Sequence, residues 1–84
     1  MTKRKALAPA TLTEAKELLR HERPRLDAEP LVWVAFHRRS AEVYGQVAQV
    51  DLAHRYEAHA HAGQEIRQAR EIEDGLSEEQ PTQQ

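Results

Sequence analysis

One apolar stripe constrains this chain more than any other feature. Trp33, Phe36, Ser40, Val43 or Tyr44, Val47 and Val50 step by three and four, while Arg38, Arg39, Glu42 and Gln46 fall away from them. A strand would need alternation, and alternation fails beyond Val34. The valines lower helix propensity slightly, yet a period of 3.6 held for about five turns outweighs that preference. Pro30 fits the first helical position, where its missing N–H is no loss, and Asp27 and Glu29 set negative charge at the positive end of the helix dipole. Gly45 in the interior costs about 1 kcal/mol relative to alanine, which predicts either close approach of a neighbouring backbone or a local kink.

A helix with so broad an apolar face needs neighbours, and the sequence offers two. Thr11 is placed to cap a first helix, with Glu14 as its capping-box partner and Leu12, Ala15, Leu18 and Leu19 at helical spacing. That helix should end near Glu22, because Pro24 forces Arg23 out of the helical region; a connector then runs through about Glu29. From Leu52 a third stripe passes through Tyr56, Ala60, Gly63, Ile66, Ala69 and Ile72, with His59, His61 and Gln64 beside it. No glycine or proline separates Val47 from Leu52, but one helix from Pro30 to Glu73 would be about 65 Å long, more than a small monomer can bury. A tight hairpin is therefore predicted, with Asp51 as N-cap of the third helix.

The expected fold is all-α: a short N-terminal helix followed by a long antiparallel helical hairpin, together a helical domain over residues 11–74. Residues 1–10 are basic and Ala/Pro-rich, and residues 75–84 are acidic and Gln-rich after a glycine stop, so both ends are expected to be disordered.

With 84 residues and no cysteine, the chain makes at most one domain, without disulfides, a thiolate nucleophile or a cysteine metal site. That composition suits a reducing compartment. The basic start, Met1 to Lys5, is followed by Ala6 to Ala10, too short and proline-broken for a signal peptide, and no run approaches the roughly 18 apolar residues of a membrane span. A cytoplasmic location is expected. Net charge is only −2, but residues 1–40 hold nine Lys or Arg against five acids, and residues 41–84 hold three against nine. Such a split serves an acidic or nucleic-acid partner, or is neutralised inside the fold or across an antiparallel dimer.

Chemistry-bearing patterns are sparse. Among His21, His37, His54, His59 and His61, no pair has the three- or four-residue spacing that converges on one ion. Asp51 with His54, Glu57 with His61, and Glu65 beyond them form an acid and histidine ladder that reads first as a solvated helix face. Ser40 lies three residues after His37, but no orienting group or oxyanion donors accompany the pair. Gly45, Gly63 and Gly75 are isolated, so no phosphate loop is present. No catalytic, cofactor-binding or metal-binding residue is assigned. Arg20, Arg23, Arg25, Arg38 and Arg39 gather around the connector and the second helix, where guanidinium forks suit carboxylates or phosphates; the pI of about 6.2 argues against nucleic acid as the main partner.

Pro30, Trp33, Phe36, Arg39-Ser40-Ala41, Val43-Tyr44, Val47-Ala48, Val50-Asp51, His54 and Glu57-Ala58 together resemble a family of small helical proteins from actinomycetes with no assigned activity. The likeness covers roughly residues 12–73; the combination is moderately specific and the single residues are weak. The resemblance implies a compact helical protein, often encoded near helix-turn-helix regulators, and it carries over no site. Leu52-Ala53 departs from the polar or glycine-bearing residues that follow the aspartate in that family.

The function these features favour is a non-catalytic protein–protein interaction module, accessory to a transcriptional regulator. The alternative is a weakly metal- or nucleic-acid-associated protein. Interaction residues are expected at Trp33, Phe36, Arg38, Arg39 and Tyr44. A homodimer is also expected. Only about 60 residues remain to build a core, a size at which apolar burial and chain entropy nearly cancel.

Overall fold

The computed structural model describes residues 8–79, in which α1 spans Leu12–Glu22, α2 Pro30–Val50 and α3 Arg55–Glu79, with one 3₁₀ turn, Leu52–His54, between α2 and α3. No strand occurs among the described residues. The second and third stripes are separate helices. His37 meets Glu65 while Tyr44 meets His61, so position rises along α2 as it falls along α3, and the hairpin is antiparallel.

The boundaries follow from local chemistry. Thr11 Oγ1 accepts the Glu14 N–H at 3.1 Å, and Glu14 Oε1 reaches back to the Ala10 N–H at 2.9 Å, one residue earlier than a capping box would place it. Arg23 is extended ahead of Pro24, and Pro30 occupies the first turn of α2 as its ring geometry favours. Asp51 ends α2: its N–H still donates to Val47 O at 2.8 Å, but its own φ of −96° and ψ of 79° leave the helical region. The expected N-cap on the third helix is corrected, because the Asp51 side chain makes no such bond. Its Oδ2 accepts the Leu12 N–H at 2.8 Å instead. The fold brings the unpaired N-terminal amides of α1 to the hairpin turn, so the aspartate caps the helix beside it in space.

α2 is the central element. Phe36, Val43, Tyr44, Val47 and Ala48 form one core with Leu12, Ala15 and Leu19 of α1 and Ala58 of α3, and Trp33 and Ala62 pack against its edge. Val47 is 0 % exposed. The third stripe is corrected in phase over its first four turns: Leu52, Tyr56, Ala60, Gly63 and Ile66 are exposed, while Ala58 is buried and His61, Ala62 and Glu65 are half-buried; beyond them Ala69 is buried and Ile72 half-buried, as the stripe predicts. α2 already carries the bulky side chains of this seam, so close packing is reached with small residues opposite them. Tyr56 and Ile66 of α3 are left outside.

Two glycine expectations also change. A Cβ at Gly45 would meet nothing within 4 Å, so no neighbouring backbone approaches there, and α2 runs through it without interruption. Gly75 does not stop α3, which continues to Glu79; no glycine among the described residues adopts the positive φ of a helix-ending turn. The tail expected from residue 75 is therefore helical as far as residue 79, and residues 80–84 lie outside the described residues. Of the expected basic arm, residues 1–7 lie outside them too, and residues 8–10 have no regular structure.

Candidate functional site

The five residues expected to form an interaction surface separate into three situations. Phe36 and Tyr44 are buried, which corrects their expected role: they build the core beneath a surface. Trp33 is half-buried, its indole N–H donating to Arg25 O at 3.1 Å, its ring edge-on to Phe36 at 5.8 Å and lying under the Arg23 guanidinium at 5.1 Å. Arg38 and Arg39 are exposed but engaged. Arg38 donates to Glu73 of α3 at 2.6 Å, and Arg39 forks onto both oxygens of Glu22 of α1 at 2.5 and 2.9 Å. The bond from Arg39 holds the Glu22 carboxyl below the usual range. These pairs are half-exposed and screened by solvent, worth about 0.5 to 1 kcal/mol at best. Of these, the Arg38–Glu73 pair joins the basic first half of the chain to the acidic second half, whereas Arg39 pairs with an acid of its own half.

Between α2 and α3 lies a more buried set of polar groups. His37 Nδ1 and Glu65 Oε1 are 2.6 Å apart, and because a carboxylate only accepts, Nδ1 must carry the proton. Trp33 packs on the same imidazole at 5.7 Å, and His61 stacks on Tyr44 at 4.8 Å. Burial, and secondarily the charge of Glu65, pushes the Tyr44 phenol up. The acid and histidine ladder of the third helix is thus partly an inner face: His61 and Glu65 point towards α2, while Glu57 and His59 stay exposed. What hid this was the partner residue, His37, lying on another helix.

Ser40 is 1 % exposed and its Oγ has no hydrogen-bond partner. It does not bond to His37, whose Nδ1 is occupied by Glu65. An orphaned buried hydroxyl costs about 1 to 3 kcal/mol. Ser40 lines a cleft of about 160 Å³, with Leu19, Phe36 and Tyr44 as its walls, Glu65 at one side and Lys16, Arg20 and Arg23 of the α1 segment around it. A second depression, shallow and about 550 Å³, runs over Ala35, Arg38, Arg39, Ala41, Glu42 and Ile66.

Among the described residues no group of three His, Cys, Asp or Glu side chains converges as metal ligands would, and no helix is long and apolar enough to cross a membrane. Asp51 and His54 do meet, at 3.0 Å, on the carboxylate oxygen that also accepts the Leu12 amide. Chiefly that backbone bond, with His54 adding to it, holds the Asp51 carboxyl below its ordinary value. Large apolar side chains are left uncovered at both ends of α2. Leu26, Leu31 and Val32 lie at its start, and Val50, Leu52 and Tyr56 at the hairpin turn, Leu52 being 65 % and Tyr56 83 % exposed. Against family models, curated proteins and solved structures, the chain matches none.

Proposed function

We propose that this protein is a non-catalytic protein–protein interaction module, self-associating as a homodimer and serving as an accessory to a regulatory protein. One observation carries the reading: apart from Ile66 on α3, the uncovered large apolar side chains stand in two groups at opposite ends of α2. Scattered exposed leucines are ordinary, whereas a tyrosine and neighbouring aliphatics gathered at a turn are what protein interfaces bury. The contact surface is the hairpin turn, Val50, Leu52 and Tyr56, rather than the Trp33 to Tyr44 stretch. Two copies meeting there repeat the same patch across a twofold axis. Kinship with the actinomycete family belongs to the same proposal and rests on the residues of α2 and the turn named above. So does the regulatory partner.

Sedimentation equilibrium tests the association. The expected mass at tens of micromolar is near twice 9.6 kDa, returning to 9.6 kDa when Leu52→Glu and Tyr56→Glu are combined. Both substitutions lie on exposed positions and leave the core untouched. A mass of 9.6 kDa for the unaltered chain at every concentration overturns the dimer.

A further inference from the structure

We propose that the cleft between α1 and α2, under Lys16 and Arg23, is a binding site for a small oxyanion: a carboxylate or phosphate group on a short apolar stem. Two cations of this cleft are free of carboxylates. Arg20, Arg25, Arg38 and Arg39 each have a carboxylate within 3.2 Å, whereas Lys16 and Arg23, like Arg55, Arg67 and Arg70 on α3, have none within 4.0 Å among the described residues; Lys16 and Arg23 alone of these five stand over a buried hydroxyl. Both line the same cleft, with Arg20 between them at helical spacing.

Hydroxyl chemistry is the second, independent observation. Ser40 lies against this cleft with an Oγ that bonds to nothing in the protein, although a serine inside a helix has the carbonyl of the preceding turn within reach. A group left unpaired in a buried place is most simply explained by a partner that enters from outside. Tyr44 adds a phenol, which carries its proton at neutral pH as an ordinary tyrosine does and so can donate. The one acid of the lining, Glu65, is turned to His37, accepting from its Nδ1 at 2.6 Å.

Size and shape fit the same ligand. A volume of about 160 Å³ equals roughly five liquid waters at ~30 Å³ each, room for one oxyanion group and a few carbons against Leu19 and Phe36. Attraction has to come from side chains, because the C-terminal end of α1 presents the negative pole of its dipole here. The Arg23 guanidinium rests over Trp33 at 5.1 Å, so drawing it towards an anion disturbs a fluorescent ring.

Amide chemical shifts of the full chain, followed on titration with sodium phosphate and separately with sodium acetate at ionic strength held constant by chloride, test the site. Saturating shifts centred on Lys16, Ser40 and Tyr44 are expected, with a parallel change in Trp33 emission. Lys16→Gln should weaken the affinity about tenfold, and Ser40→Ala two- to tenfold. Ser40→Ala should do so with an unchanged or higher melting temperature, since it removes an orphaned hydroxyl. Tighter phosphate binding assigns a phosphate ester as the natural class; acetate binding at least as tight assigns a carboxylate. Shifts that never saturate, or affinities that neither substitution changes, overturn the proposal.

Discussion

Towards α1, the long central helix meets Leu12, Ala15 and Leu19; towards α3, it meets Ala58, Ala62 and Ala69, interleaved with His61 and Glu65. The first seam buries aliphatic bulk from both sides and is indifferent to protonation. The second places aromatic rings and an imidazole on α2 opposite small residues, and its specific contacts are a charge-assisted hydrogen bond and a ring stack. A helix of low overall hydropathy can therefore dock securely if its partner brings the volume. α3 contributes geometry and polar complementarity, and α2 contributes the hydrophobic burial.

The most severe test of this asymmetry uses one residue from each side. Val47 is 0 % exposed and packs in the shared core, so Val47→Asp buries an unpaired charge and should cost about 4 kcal/mol or more, enough to unfold a domain of this size. Ile66, by contrast, is 39 % exposed beside the shallow depression that Arg38 and Arg39 also line, and Ile66→Asp, which gives up only part of an isoleucine's burial, should cost about 1 to 2 kcal/mol. Urea unfolding of the two variants decides it. Equal losses would mean that α3 docks through its larger apolar residues.

The polar contacts of the second seam come next in size. Glu65→Ala strands the His37 Nδ1–H in a largely buried position and should cost about 2 kcal/mol. Glu73→Ala breaks a half-exposed pair with Arg38 and should cost no more than about 1 kcal/mol. If Glu73→Ala proved the more damaging, the surface ion pair would be the clamp and the buried pair an accessory.

A gain of about 1 kcal/mol is expected from Gly45→Ala and from Gly63→Ala, each a glycine in a helix interior whose added Cβ meets nothing within 4 Å. Thermal unfolding reads the difference directly. A loss at Gly45 would reveal a close contact on the central helix and restore the expectation that the glycine serves packing.

Much of this asymmetry was legible before any coordinates, and the parts that were not have definite causes. The period of Phe36, Ser40, Val43 and Val47 and the proline positions locate α2, and Thr11 with Glu14 locates α1. The first half of the inner face of α3 escapes an apolar count because size is a poor proxy for burial: Leu52, Tyr56 and Ile66 outweigh Ala58 and Ala62, yet the seam needs small residues, and only the buried Ala69 falls on the expected stripe. Gly75 was read as a stop, although glycine ends a helix only where the chain adopts positive φ. The candidate cleft was half visible as a cluster of arginines. Which cations lack acids depends on contacts between helices, as Arg39 with Glu22 and Arg38 with Glu73 demonstrate. Lys16 stood outside the cluster that the basic residues suggested.

Asp51 joins the two seams, and its effect should be the smallest of those predicted, present at neutral pH and lost in acid. Its carboxylate accepts the Leu12 amide across the turn and also faces His54, and the backbone bond is the main reason its pKa lies below the ordinary 3.8. A carboxyl with a depressed pKa in the folded state binds fewer protons than it does in the unfolded chain, so stability rises with pH across the interval between the two values. The contribution is complete above the ordinary value and disappears as pH falls through the depressed one. Asp51→Asn keeps an oxygen able to accept from Leu12 but does not titrate. Its melting temperature should sit slightly below that of the unaltered protein at pH 7, and the two should converge as the solution is acidified below about pH 4. Glu17 and Glu22 are depressed as well and act equally in both proteins, so the difference between the curves isolates Asp51. The protection of the Leu12 amide against hydrogen exchange, relative to a free amide at the same pH, should fall in the same acid interval. Parallel melting curves from pH 7 down through that interval would show that the turn does not hold α1 by charge, leaving the leucine seam and the Arg39–Glu22 pair to attach it.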